Sequence, residues 1–264
     1  MNLKYLKHLA KRSAPYIHPK GHEATQILID NLKILDGERI LELGCGTGAT
    51  LCEIAYKYDV KIEGIDVLEE MVSSANERIY YLGLQQNGKV KLCSSGKPYP
   101  YDEGTFDKVY AESVLGFQEI NQIEFLLKEI YRVLKPRGLF VMNEALWSEN
   151  TDPILIEEIC KKANESFGLG PASPSKITES VFSKMAEDSG FDLLKVIELT
   201  NLKDSKQTKT QDFMKLQKKF NRKKNIKNFK SFAYLIDEIQ FRKNISNQSE
   251  YRSYLYSYLF IFIK

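Results

Sequence analysis

The sequence predicts an α/β protein built on a doubly wound, mostly parallel sheet of seven strands. Three observations carry the prediction. Short apolar runs alternate with amphipathic stretches of helical period, the first such run closes on glycines, and the last alternates with period two. Alternation of this kind implies parallel strands joined by crossover helices that cover both faces.

In chain order, the first 22 residues hold no Asp or Glu and place Leu3, Leu6 and Ala10 at helical spacing. A short cap helix packed on the domain is the reading adopted here, although such a helix also suits a membrane surface. Residues 22–35 predict a helix with Ala24, Ile27, Leu28 and Leu32 on one face. Strands follow at 39–43 and 61–65, separated by a helix over 48–58. Another helix at 68–81 leads to strands at 89–93 and 106–111. A helix over 121–134 ends at Lys135-Pro136-Arg137-Gly138, before a fifth strand at 139–143. Beyond Trp147 come helices at 152–166 and 176–189, a sixth strand at 191–199 and a Lys-rich helical stretch over 203–244. The chain closes on an aromatic strand at 251–263, in which Tyr251, Tyr254, Tyr256 and Tyr258 alternate. The whole reads as one domain over 1–264. It comprises a cap (1–22), a ligand-binding core (23–147), cover helices (148–190), a basic insertion (203–244) and a terminal strand (251–263).

Composition removes several classes. Of 264 residues, 43% are hydrophobic and 28% charged, which excludes disorder, and four scattered cysteines without C-x-x-C spacing predict neither a zinc site nor a disulfide scaffold. No metal is expected. The longest apolar run, 254–263, is about half the ~20 residues a membrane helix needs. Lys4, Lys7, Lys11 and Arg12 break any secretory signal. A cytoplasmic location is the expectation. The formal charge is only +3, but 202–243 carries thirteen Lys/Arg against four Asp/Glu, leaving the remainder at −6. A solvated helix face is the ordinary reading of such a run. An anionic substrate, a membrane surface or nucleic acid are the sharper ones.

The informative segment is Glu42-Leu43-Gly44-Cys45-Gly46-Thr47-Gly48, at a strand-to-helix turn. Glycines there admit a ligand close to the main chain, and the free N–H groups of the following helix add a positive end. Gly44, Gly46 and Ala49 also satisfy a dinucleotide pattern. Asp66 ends the second strand where a carboxylate reaches ribose hydroxyls, and a helix N-cap is its plainer role. Glu42 decides between ligands. A carboxylate buried at a core strand end costs several kcal/mol unless paired, so it suggests a ligand with a cationic end.

Glu42-x-Gly44-x-Gly46-x-Gly48, Asp66, Phe106-Asp107-x-Val109 and Arg132-Val-Leu-Lys-Pro-Arg-Gly138, in this order, resemble the class I S-adenosylmethionine-dependent methyltransferases. The likeness is to their small-molecule branch, the ubiquinone/menaquinone and phosphoethanolamine types, and covers roughly 20–145 and the terminal strand. His18-Pro19-Lys20-Gly21 is similar to the turn that precedes the first strand there. The resemblance implies a Rossmann-like seven-stranded sheet with the last strand antiparallel, S-adenosylmethionine as cofactor, S-adenosylhomocysteine as product and a small-molecule acceptor. It also implies that Gly44, Cys45, Gly46 and Gly48 line the methionine portion, Glu42 its amino group, Asp66 the ribose and Val67 the adenine. Ser94, Ser95 and Gly96 fall where the family binds the adenine amine, with Ser95 replacing an acid. Glu112 would face the sulfur and acceptor, and Tyr16 with His18 and Gly21 the entrance.

Candidate bases at the strand ends and in the N-terminal segment are Glu112, Glu144, His18 and His22. Their plainer roles are loop capping for Glu144 and helix or loop structure for the histidines. Trp147 and Phe167 are read as shaping a substrate cover, and the basic insertion as a substrate lid. Methylation of RNA or protein through that insertion, or cofactor binding without methyl transfer, are the competing readings. Nucleic acid is not the expected partner, since no N/D-P-P-[YF] motif follows the fourth strand.

Overall fold

The computed structural model describes residues 4–168, 170–202, 211–228 and 253–264. Helix α1 (Lys4–Lys11) and α2 (Gly21–Leu32) precede β1 (Arg39–Leu43), α3 (Ala49–Lys57), β2 (Lys61–Asp66), α4 (Glu69–Leu82) and β3 (Gly88–Leu92). Then come β4 (Phe106–Glu112), α5 (Ile120–Val133), β5 (Leu134–Trp147), α6 (Pro153–Phe167), α7 (Glu179–Asp188), β6 (Asp192–Glu198), α8 (Gln211–Asn228) and β7 (Leu255–Ile263). The strands form one sheet in the order β3-β2-β1-β4-β5-β7-β6, with β7 antiparallel to both neighbours. Fold class and strand count are as the sequence predicts.

Each face of the sheet carries its own core. Side chains alternate along a strand, so in β7 Phe260 and Phe262 join Phe140, Phe182 and Phe191 under α5 and α7. Leu259 and Ile261 join Leu28, Ile40, Ile54, Ile62 and Val141 under α2 and α3.

Several boundaries differ from the sequence reading, and the terminal strand, expected from 251, begins at Leu255, with Tyr254 before it. β5 begins at Leu134 rather than 139 and runs on to Trp147. The segment Lys135-Pro136-Arg137-Gly138 is a register shift within it, between the pairs Phe106–Leu134 and Lys108–Leu139. Proline is tolerated at such an irregularity, and Arg137 takes φ 64° while its N–H donates to Lys264 O. Helix α2 stops at Leu32 because Lys33 adopts left-handed backbone.

The described part of the basic insertion, α8, lies on α3 and α4, with Phe213 against Tyr56 and Phe220 against Tyr81. It forms an outer layer on those helices, and its Gln217 reaches Tyr16 Oη and Ala49 O beside the glycine turn. Leu3, Phe229, Phe232, Tyr234 and Tyr251, and residues 203–210 and 229–252 generally, lie outside the described residues. No helix among the described residues is long and apolar enough to cross a membrane.

Candidate active site

The strand order reverses between β1 and β4, which lie side by side with Leu43 opposite Ala111. The chain leaves β1 toward β2 and reaches β4 only after β3, so the loops at the two strand ends diverge and open a crevice. The turn after β1 fills it with backbone. Gly44 and Gly48 take φ 57° and 72°. A Cβ on Gly44 would stand 2.5 Å from Val114 Cγ2, and one on Gly48 2.9 Å from Ala75 Cβ. Both positions therefore exclude a side chain on conformation and on space. Cys45 is buried, and its N–H donates to Ile65 O at 3.0 Å, tying the turn to β2.

Asp66 is buried at the end of β2. Its Oδ2 accepts the Gly46 N–H and its Oδ1 the Leu68 N–H, each at 2.9 Å, and burial raises its pKa. The residue capping α4 is Leu68, so Asp66 is not the N-cap. It closes the β2–α4 turn and braces the glycine turn, and its oxygens keep acceptor capacity beyond these bonds. Val67 beside it is 55% exposed. Ser94, Ser95 and Gly96 lie on the exposed loop after β3, which begins where the Cys93 N–H meets Asp66 O at 2.9 Å.

Glu42 is 4% exposed, and its Oε2 meets no hydrogen-bond partner. Burial, and then the charge of Glu112, push its pKa well above the usual carboxylate range. A ligand donor that brings positive charge would match this orphaned oxygen at the foot of the crevice.

Two polar networks pin the N-terminal segment over the turn. In the first, Glu112 at the end of β4 accepts from Thr50 Oγ1 (2.7 Å) and Thr25 Oγ1 (2.9 Å) and pairs with His18 Nε2 (3.0 Å). His18 Nδ1 lies 3.2 Å from Asn143 Nδ2. Against burial, which would raise it, His18 and the two threonines hold the Glu112 pKa below the ordinary value. That of His18 is raised because Glu112 outweighs burial. In the second network Glu53, on α3 and 0% exposed, takes Tyr16 Oη at 2.6 Å, His22 Nε2 at 3.1 Å and Lys57 Nζ at 2.7 Å. Against burial, these partners hold its pKa down to about 2.

The sequence candidates therefore separate. Glu42, Gly44, Cys45, Gly46, Glu112, Tyr16 and His18 meet in the crevice, whereas His22 sits behind Tyr16 on Glu53. Glu144 takes a loop-capping role, the plainer of its two sequence readings, though on the loop after β4. Its carboxylate accepts the N–H groups of Val114, Leu115 and Gly116 at 2.7, 2.9 and 3.1 Å, shaping the loop after β4. Burial pushes its pKa up to about 7 despite those bonds. Trp147 is also reassigned. It is 1% exposed, its indole N–H donates to Ser173 O, and it packs on Ile156 and Ile159, anchoring α6 to the sheet instead of covering a substrate. The Phe167 side chain lies outside the description. Thr25, Thr50, Glu53 and Asn143 escaped the sequence reading, since only the folded contacts distinguish them from ordinary helix and strand residues. Among the described residues no His, Cys, Asp and Glu group is placed to hold a metal ion. A separate cavity of about 200 Å³, at the N-terminal ends of β1, β2 and β3, is lined by Arg39, Lys61 and Lys89. Its buried Glu63 already pairs with Arg39, Lys89 and Lys91.

A doubly wound sheet with an acid-headed glycine turn at its switch point and an acid ending β2 defines the class I S-adenosylmethionine-dependent methyltransferases. The chain belongs to the methyltransferase domain family, whose model matches residues 34–221. It is 29% identical over 187 residues to 24-methylenesterol C-methyltransferase 3 of Arabidopsis thaliana, covering 69% of this chain and 51% of that protein. Phosphoethanolamine N-methyltransferase 1 of Triticum aestivum is 28% identical over 176 residues, covering 67% and 32%. The chain thus spans about half or less of these two relatives. Among solved structures, the [4+2]-cyclase SpnF shares the fold at 19% identity and TM-score 0.67, covering 92% of this chain and 80% of that one. The residues present fit S-adenosylmethionine. Glu42 has an oxygen free for an ammonium group, and the glycine turn is a cradle that a Cβ at Gly44 would fill.

Proposed function

We propose that the chain transfers the methyl group of S-adenosylmethionine to a small organic acceptor by in-line displacement, within a single domain over 1–264. The observation that carries the donor is Glu42, a buried carboxylate with an oxygen lacking any donor. For the acceptor, the support is the roof of Tyr16, Ile17 and His18 over the glycine turn. A roofed crevice suits an acceptor that can be enclosed, as do relatives named for sterols and phosphoethanolamine.

When bound, the cofactor supplies an electrophilic methyl group on a sulfonium. The chain aligns and shields it. Glu42 accepts from the amino group, the remaining lone pairs of Asp66 accept from the ribose hydroxyls, Val67 flanks the adenine and Ser95 accepts from its amine. Alignment and water exclusion of this kind contribute up to ~7–11 kcal/mol. Three of the candidate bases are committed to structural contacts. Both His18 nitrogens are engaged, Glu112 holds three donors and Glu144 is committed to backbone. We therefore assign His18 and Glu112 to holding the cap over the reacting centre, and the acceptor brings its own nucleophile.

The test is a panel of phosphoethanolamine, sterols, RNA and protein assayed for methyl transfer. Transfer to one small-molecule class is expected. One observation favours the macromolecular alternative, an exposed stripe of Lys215, Lys218, Lys219 and Arg222 on α8. Methylation confined to RNA, with binding that weakens steeply in salt, would establish it. Tight cofactor binding without transfer to any acceptor would favour a non-methylating protein.

A further inference from the structure

A buried guanidinium stands behind the glycine turn, and among the described residues no carboxylate pairs with it. Arg78, on α4, is 0% exposed. Its Nε donates to Thr47 O at 2.8 Å, and its Nη2 to Ser13 O at 2.7 Å and Thr47 Oγ1 at 3.1 Å. Nη1 donates to the side-chain oxygens of Gln217 and Asn221 on α8. The group lies 4.8 Å from the Phe220 ring centroid. All these oxygens are neutral. Burial lowers the Arg78 pKa to about 10, which still leaves it charged at neutral pH. A buried charge without a partner is costly, and removing one member of a matched pair leaves that cost exposed. Glu42 is the mirror case, a buried acid whose Oε2 meets no donor. A buried cation and a buried carboxyl group with an unmatched oxygen thus flank one turn, Glu42 on the strand side and Arg78 behind Thr47. An α-amino acid head group carries the complementary pair.

We propose that Arg78 is the counter-charge for the α-carboxylate of the cofactor's methionine portion, while Glu42 takes its amino group. The proposal rests on S-adenosylmethionine being the cofactor. Arg78 is a positioning residue, because its donors end on Thr47 and Ser13. It acts through the orientation of Thr47 and through its field, which a low-dielectric surrounding screens weakly. Since the same guanidinium holds Gln217 and Asn221, the basic insertion becomes part of the cofactor site.

The test is calorimetric binding of S-adenosylhomocysteine and of its decarboxylated analogue, S-adenosyl-3-thiopropylamine. Both are titrated into the wild type, Arg78→Gln and Arg78→Lys. The wild type should prefer the carboxylate-bearing ligand by about tenfold or more, a coupling of ordinary size. Arg78→Gln should bring the two ligands within about threefold, and Arg78→Lys, which keeps the charge, should retain most of the preference. A merely structural Arg78 would weaken both ligands equally in Arg78→Gln and leave their ratio unchanged, which overturns the proposal. A wild-type ratio near one overturns it whatever the variants do. Should Arg78→Gln fail to fold, loss of the preference in Arg78→Lys despite the retained charge overturns it as well. If the cofactor assignment itself were wrong, the wild type would bind neither ligand.

Discussion

The buried pair His18–Glu112 fixes how the cap responds to pH. The ordinary His18 value of 6.5 is raised and the ordinary Glu112 value of 4.5 is lowered. The histidine's contribution is complete below 6.5 and is lost as pH rises through its raised value. That of the glutamate is complete above 4.5 and is lost as pH falls through its lowered value. The pair therefore stabilises most between about pH 4.5 and 6.5. Glu112→Gln should lower stability by about 3–5 kcal/mol within that window and by less on either side. A Tm difference from the wild type that does not vary with pH would contradict the ion pair. Asp66→Ala acts on the ligand instead. It removes the acceptor assigned to the ribose and orphans the Gly46 and Leu68 N–H groups at a cost of about 1–3 kcal/mol each. The expected result is a folded protein whose affinity for S-adenosylhomocysteine falls at least about tenfold by calorimetry; unchanged affinity would remove Asp66 from the ribose.

At the scale of elements, the terminal strand illustrates what was legible. Its period-two aromatics predict a strand, and the structure sets those from Tyr256 onward in a row along one face. Tyr256–Tyr258, Tyr258–Phe260 and Phe260–Phe262 have ring centroids 6.4, 6.0 and 5.9 Å apart. Phe262 is 0% exposed and touches Phe140 and Phe191, so Phe262→Ala should cost about 3–5 kcal/mol in denaturant unfolding, and Tyr256→Ala, at the half-buried end, clearly less. Equal losses at the two positions would contradict this packing. The overrun of β5 was not legible. Lys135-Pro136-Arg137-Gly138 reads locally as a stop signal, and its place in the strand depends on hydrogen bonds to Lys264 at the far end of the chain. The seating of α8 was equally hidden. Phe213 and Phe220 mark an apolar face, but only the partners Tyr56 and Tyr81 show that it meets α3 and α4.

Across the whole molecule, the sheet and the cofactor turn were readable because both are written in contiguous sequence. Strand period and glycine spacing identify them, and Glu42 declares its oddity by position alone. The roles of Glu144, Trp147, Glu53 and Arg78 are set by groups tens of residues away, so a glutamate at a strand end reads as a candidate base until Val114, Leu115 and Gly116 are seen to take both of its oxygens. The central claim is that a carboxylate with an unmatched oxygen selects a ligand with an ammonium group at this turn. Its most direct test is calorimetric titration of the wild-type protein with S-adenosylhomocysteine and with NADH. Micromolar binding of the sulfur ligand and none of NADH is the predicted result; binding of NADH alone would contradict it.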